Sequence, residues 1–169
     1  MRRRGPILLI AVLWLCQAGI CNAQAPVHPN SSAKGAPMSH ATGTFDVKVV
    51  PQEPAGQGQK PIGRMTIDKQ WHGGLEGTSQ VEMLTANTDV KGSAVYVAIE
   101  QFTGTLAGRK GTFLLYHTGL MTRGTPQLSV SVVPDSGIGQ LAGLTGSLTI
   151  QIADGKHSYD FTYSLPESH

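Results

Sequence analysis

The sequence predicts an all-β domain, an eight-stranded antiparallel up-and-down β-barrel, placed behind an export signal and a short tether. Three observations carry that expectation. From Ser39 onward, short runs rich in Thr, Val, Ile, Phe and Tyr alternate with Gly-rich turns, and no stretch keeps a helical period. The 21 glycines in 169 residues, set against 14% charged residues, exclude a coiled coil, a helical bundle and a charged disordered chain. Successive runs are joined by short turn signals, so strands adjacent in sequence pair as hairpins, and eight of them favour closure, which leaves no sheet edge exposed. A two-sheet sandwich is the rival, because periodicity alone does not report closure.

Residues 1–25 read as an address. Arg2, Arg3 and Arg4 precede an apolar run from about Ile7 to Leu15, and Ala23-Gln24-Ala25 supplies an A-x-A cleavage site. The run is short for a bilayer span, which needs about 20 residues, so a cleaved signal peptide is expected and a retained anchor is the alternative. Leu15 precedes Cys16 and Ile20 precedes Cys21, which fits a lipidation site poorly. Cleavage after Ala25 removes three of the 13 basic residues and none of the 11 acidic ones, leaving a formal charge of −1. The expected location is therefore secreted or periplasmic. Such a near-neutral domain gives no electrostatic case for a nucleic-acid partner, and none for a membrane once the signal is gone. Both cysteines leave with the signal, so neither a disulfide nor a thiol nucleophile is expected.

Residues 26–38 (PVHPNSSAKGAPM) lack an apolar period and read as a flexible linker, and residues 39–166 form the barrel domain. Eight strands are expected at about 41–50, 62–71, 76–86, 94–106, 111–121, 127–134, 139–152 and 156–165. Gly73-Gly74 suits a two-residue primed turn, Asp154-Gly155 is a stronger hairpin signal, and Gly108-Arg109 joins two runs of equal length. Pro134-Asp135-Ser136-Gly137 bends the chain between the sixth and seventh strands. Residues 51–61 (PQEPAGQGQKP) read as a long surface loop.

Two site chemistries are excluded by spacing. Gly137, Gly139, Gly143 and Gly146 lack the Gly-x-Gly-x-x-Gly interval of a dinucleotide site, and strand rather than helix follows them. His72, His117 and His157 fall on different elements without H-x-H or H-x-x-x-H spacing, while His28, His40 and His169 lie near the ends. No metal and no cofactor is expected.

One constellation holds chemistry. A hairpin centred on Gly108-Arg109 places Leu106 opposite Gly111, Gly104 opposite Phe113, Phe102 opposite Leu115, and Glu100 opposite His117, all on one face. Apolar pairs dominate that face, which reads as the barrel interior, with a carboxylate facing an imidazole at its end. Such a pair suits general acid–base work near neutral pH, or it is a structural ion pair. Tyr96 shares the Glu100 face, and Tyr159, Phe161 and Tyr163 share a face of the last strand. Trp71 and Glu76 flank the Gly73-Gly74 turn at the expected rim. No G-x-S-x-G elbow marks a nucleophilic serine.

Four segments carry a family resemblance: Glu100–Phe113 (EQFTGTLAGRKGTF), His117 with Gly119, Ser136–Gly146 (SGIGQLAGLTG) and His157–Leu165 (HSYDFTYSL). In that order they resemble the bacterial family of domain of unknown function 3224, over about Ser39 to Pro166. The resemblance implies a calycin-like barrel similar to that of allene oxide cyclase, with Gly137–Gly146 as the shared strand style. It implies no activity, because that enzyme's working residues have no match here.

The expected function is therefore binding of a small, largely apolar molecule inside the barrel. Tyr96, Phe102, Phe113 and Leu115 would supply walls, and Glu100 with His117 would orient one polar group. The alternatives are a cofactor-independent isomerase or cyclase using the Glu100–His117 dyad, and a solid barrel serving as a structural or interaction module. Val95, Val97 and Ile99 on the outer face allow homo-oligomerisation.

Overall fold

A computed structural model describes residues 37–55 and 62–166. The signal segment 1–25, most of the linker and residues 56–61 of the expected surface loop lie outside the described residues. Among the described residues nine strands follow in order: β1 (Met38–Ala55), β2 (Ile62–Gly73), β3 (Leu75–Asn87), β4 (Ala94–Leu106), β5 (Arg109–Thr122), β6 (Thr125–Val132), β7 (Ile138–Gly139), β8 (Thr145–Ala153) and β9 (Lys156–Ser164). All pairings are antiparallel. The ring runs β1-β2-β3-β4-β5-β6-β8-β9 and returns to β1, an eight-stranded closed barrel, with β7 added beside β5.

Three tight hairpins follow one rule. Ala107-Gly108, Arg123-Gly124 and Asp154-Gly155 each place both central residues at positive φ, with glycine second. That is the primed turn whose twist matches the strands, and glycine is favoured at its second position. The Asp154-Gly155 expectation holds, with Ala153 opposite Lys156. The β4–β5 turn lies one residue earlier than expected: Leu106 pairs with Arg109, and Glu100 faces Leu115 rather than His117. Moving a turn by one residue moves the register by two, so every side chain keeps its face.

Two further expectations are corrected. Gly73-Gly74 is no two-residue turn, because β2–β3 pairing ends at Trp71–Gly77. The corner instead hangs on other elements: the Gly74 amide donates to Thr42 O (2.9 Å) and the Leu75 amide to Tyr159 Oη (2.8 Å). A Cβ on Gly74 would stand 2.7 Å from the Ala41 Cβ, so only glycine lets the corner approach β1. The strand expected at 139–152 breaks into β7 and β8, with positive φ at Gly139 and Gly143. The intervening segment carries Leu141 and Leu144 into the barrel end, where both are fully buried. The bend at Pro134–Gly137 stands, with Asp135 at positive φ.

The barrel is packed at one end and open at the other. Leu75, Leu106, Leu141 and Leu144 close the packed end, beneath Trp71, Phe102, Phe113 and Phe161. These rings contact one another in sequence, Trp71 to Phe102 at 6.2 Å, Phe102 to Phe113 at 4.9 Å and Phe113 to Phe161 at 6.0 Å between centroids. Each such fully buried side chain is worth about 1.5–3 kcal/mol. At the other end, positions that alternation turns inward stay exposed: Val49 at 48%, Leu128 at 45% and Ile152 at 67%.

Candidate functional site

Strand alternation turns the Glu100 carboxylate into the barrel, and it is fully buried. Four neighbouring strands each send one polar group to this level. Lys69 comes from β2, Ser79 from β3, Glu100 from β4 and His117 from β5. Register explains the meeting: Lys69 pairs with Ser79, Val81 with Glu100, and Ala98 with His117. Ser79 and His117 are thus diagonal neighbours of Glu100, at a separation long side chains span. Ala98 leaves the imidazole room to lean across.

The contacts are short. Lys69 Nζ donates to Glu100 Oε2 at 2.6 Å, and Ser79 Oγ donates to Oε1. Trp71 Nε1 donates to Ser79 Oγ at 2.8 Å, extending the chain of bonds into the aromatic layer. His117 Nε2 lies 2.9 Å from Glu100 Oε2, but off the line of an aligned hydrogen bond, so it is a close polar contact. The Lys69 ammonium also sits over the rings of Phe45 (4.8 Å) and Trp71 (5.2 Å).

Burial pushes the Glu100 carboxyl up, yet the adjoining His117 imidazole and the Lys69 charge outweigh it and hold the group below its ordinary value. Glu100 is therefore an ionised carboxylate with both oxygens engaged. A buried charge of this kind is tolerated only because it is paired and hydrogen-bonded.

Beyond this cluster, at the open end of the barrel, lies a cavity of about 400 Å³ lined by inward-facing residues that include Met65, Tyr96, Gly119, Met121, Leu128 and Ile152, and at its rim by Val95 and Leu120. Tyr96 pairs with Gly119, and its ring lies against the bare glycine Cα: a Cβ there would stand 1.9 Å from Tyr96 Cε1. Burial, and then the Glu100 charge, push the Tyr96 hydroxyl up, so it stays a donor at neutral pH. A larger depression of about 700 Å³ is edged by the outward polar side chains of Asp46, Lys48, Asp68 and Gln80 and is also lined by Lys69 and Ser79.

Of the six side chains expected to hold a ligand, Tyr96 alone lines the cavity. Phe102, Phe113 and Leu115 are at most 1% exposed and belong to the packed end. Glu100 and His117 meet through a diagonal contact within the buried ionic cluster, and neither lines the cavity. Trp71 is buried core rather than rim, and Tyr159 ties down the β2–β3 corner. Among the described residues, no three His, Cys, Asp or Glu side chains cluster to hold a metal.

Sequence reasoning missed Lys69 and Ser79. The signal was present: Met65, Ile67, Lys69 and Trp71 alternate on one face of β2, so a lysine stands where apolar residues are turned inward.

Fold and site together define a small closed β-barrel with a buried ionic cluster and a largely apolar cup at its open end. The sequence matches the family described as "Protein of unknown function (DUF3224)" over residues 41–163, and the chain belongs to that family. It is similar to a solved structure of a DUF3224-family protein of unknown function from Shewanella oneidensis MR-1. The two share 47% identity over 78% of this chain and 100% of that one, with a TM-score of 0.73. A comparison with curated proteins finds no match.

Proposed function

We propose that this protein is an exported binder of a small, largely apolar molecule held in the open half of the barrel. The observation that carries the reading is the contrast between the two ends. Residues on the same inward faces are fully buried at one end, while at the other Val49 stays exposed and Leu128 and Ile152 line an open cup. Keeping large apolar side chains in water is unfavourable, and a ligand that covers them gains the hydrophobic term. The cavity of about 400 Å³ falls in the range of small-molecule sites. Tyr96 supplies the polar handle, with its hydroxyl making no hydrogen bond among the described residues. The Arg2–Arg4 stretch and the Ala23-Gln24-Ala25 site support export. The resemblance to the allene oxide cyclase barrel supports a calycin-like architecture for the cup.

An isomerase using Glu100 and His117 is less well supported. A general base needs a free lone pair within reach of the substrate, whereas both Glu100 oxygens are occupied by Ser79, Lys69 and His117.

Native mass spectrometry of protein from its own host tests the binder. An excess mass that disappears on denaturation is expected, together with uptake of an environment-sensitive apolar fluorophore that Met65→Lys abolishes. A bare mass and no uptake by the folded wild type would overturn the reading and leave an interaction module.

A further inference from the structure

We propose that the outer face of β3–β5 is the interface of a two-fold homodimer. Strand alternation sends Leu84 outward from β3, Val95, Val97 and Ile99 from β4, and Tyr116 and Leu120 from β5. Register makes them one patch: Leu84 pairs with Val97, Ile99 with Tyr116, and Val95 with both Ala86 and Leu120. Each of the six is exposed, from 39% at Tyr116 to 51% at Ile99. At about 200 Å² for a large side chain, they present roughly 500 Å² of apolar surface, near the upper limit for the largest patch on a monomer. With a polar rim, that approaches the ~800 Å² each partner contributes to a standard interface.

Two features select a second copy of the chain as the occupant. The patch contains a depression of about 640 Å³ between Leu84, Val97 and Ile99, with Tyr116 beside it. Across from Tyr116 on β6 stands Ser131, whose small side chain leaves the ring uncovered on that side. Knob and hollow thus occur on one face, and a two-fold axis seats each Tyr116 in the partner's hollow, a contact that closes on itself. The charges at the margin also cancel within each copy, since Arg64 Nη2 pairs with Glu82 Oε2 at 3.0 Å. Two like faces therefore meet without net repulsion.

Sedimentation velocity over about 1–100 μM tests the interface, the range in which a standard-sized contact shows itself. The wild type is expected to sediment at twice the chain mass. Ile99→Glu is expected to raise the dissociation constant at least roughly a hundredfold, because each copy then buries an unpaired carboxylate. Gln101→Glu, the next outward position on β4, is expected to leave the dimer intact, and near-UV circular dichroism checks that all three proteins are folded. A wild type monomeric at the highest concentration overturns the proposal, as does a folded Ile99→Glu protein that stays dimeric.

Discussion

Lys69 Nζ stands 2.6 Å from Glu100 Oε2 with both side chains withdrawn from water, on strands separated by β3. Neither charge would be stable at that depth alone. The pair, with Ser79 and His117, lets the barrel change from a solid aromatic end to an open cup without leaving a carboxylate unmatched. The cluster joins β2, β3, β4 and β5 at one level of the barrel, which suits it to fixing their register.

Removing the cation tests that role. Lys69→Met is expected to destabilise the protein by about 3–5 kcal/mol, because the Glu100 carboxylate then loses its counter-charge. Pairing it with Glu100→Gln should restore part of the loss. Urea unfolding of the two single variants and the double variant measures the coupling, and a Lys69→Met cost under about 1 kcal/mol would falsify the ionic cluster.

Acid should act through the same carboxyl. Glu100 is held below its ordinary value of 4.5 in the folded chain, so the folded state favours the ionised form. Its contribution is therefore present above about pH 4.5 and lost as pH falls from there through the lowered folded value. Thermal melts from neutral to acid pH should show that loss in the wild type and a shallower one in Glu100→Gln.

Gly119 is needed for Tyr96. Gly119→Ala puts a methyl where the Tyr96 ring already lies, with Cε1 at 1.9 Å, so the ring must leave its seat. A stability cost of about 1–3 kcal/mol is expected, together with a clear loss of fluorophore uptake by the cup. Unchanged uptake would remove Tyr96 from the cavity wall.

The β4–β5 turn invites a stabilising change. Ala107 adopts φ 48° at the first central position, a conformation asparagine tolerates better than alanine. Ala107→Asn should raise stability by about 0.5 kcal/mol, whereas Gly108→Ala, at φ 81°, should lower it by about 1 kcal/mol. Denaturant midpoints decide both.

The seam between β6 and β8 should exchange first. Their pairing comprises Ser131 with Ser147, whereas β8 pairs with β9 from Thr145 to Ala153. Hydrogen exchange is expected to be fastest at seam-facing amides of Thr125–Val130 and Thr149–Ala153, and slowest along β4. Equal protection across the barrel would contradict this order.

How much was legible follows from which forces are local. Alternation marks the inward faces of β4 and β5, and that parity survived a two-residue register shift, so Glu100 and His117 were placed together. Lys69 was equally visible on the face of Met65, Ile67 and Trp71, but a lysine reads as solvated unless a partner for it is known. The break at Gly139–Gly143 was not legible, since its glycines suit a coiled strand as well as a turn.

The chain's own residues thus carried the all-β class, the order of the hairpins, the family and the composition of the interior, because these follow from nearest-neighbour geometry and burial pattern. Tertiary structure alone decided which stretch of the interior is filled and which is open. That depends on where Leu141 and Leu144 dock, 26 or more residues beyond the Phe113 and Leu115 they help enclose. It decided, too, that Glu100 is a paired anion instead of a free base, because its counter-ion comes from a strand 31 residues away, brought close by closure of the ring.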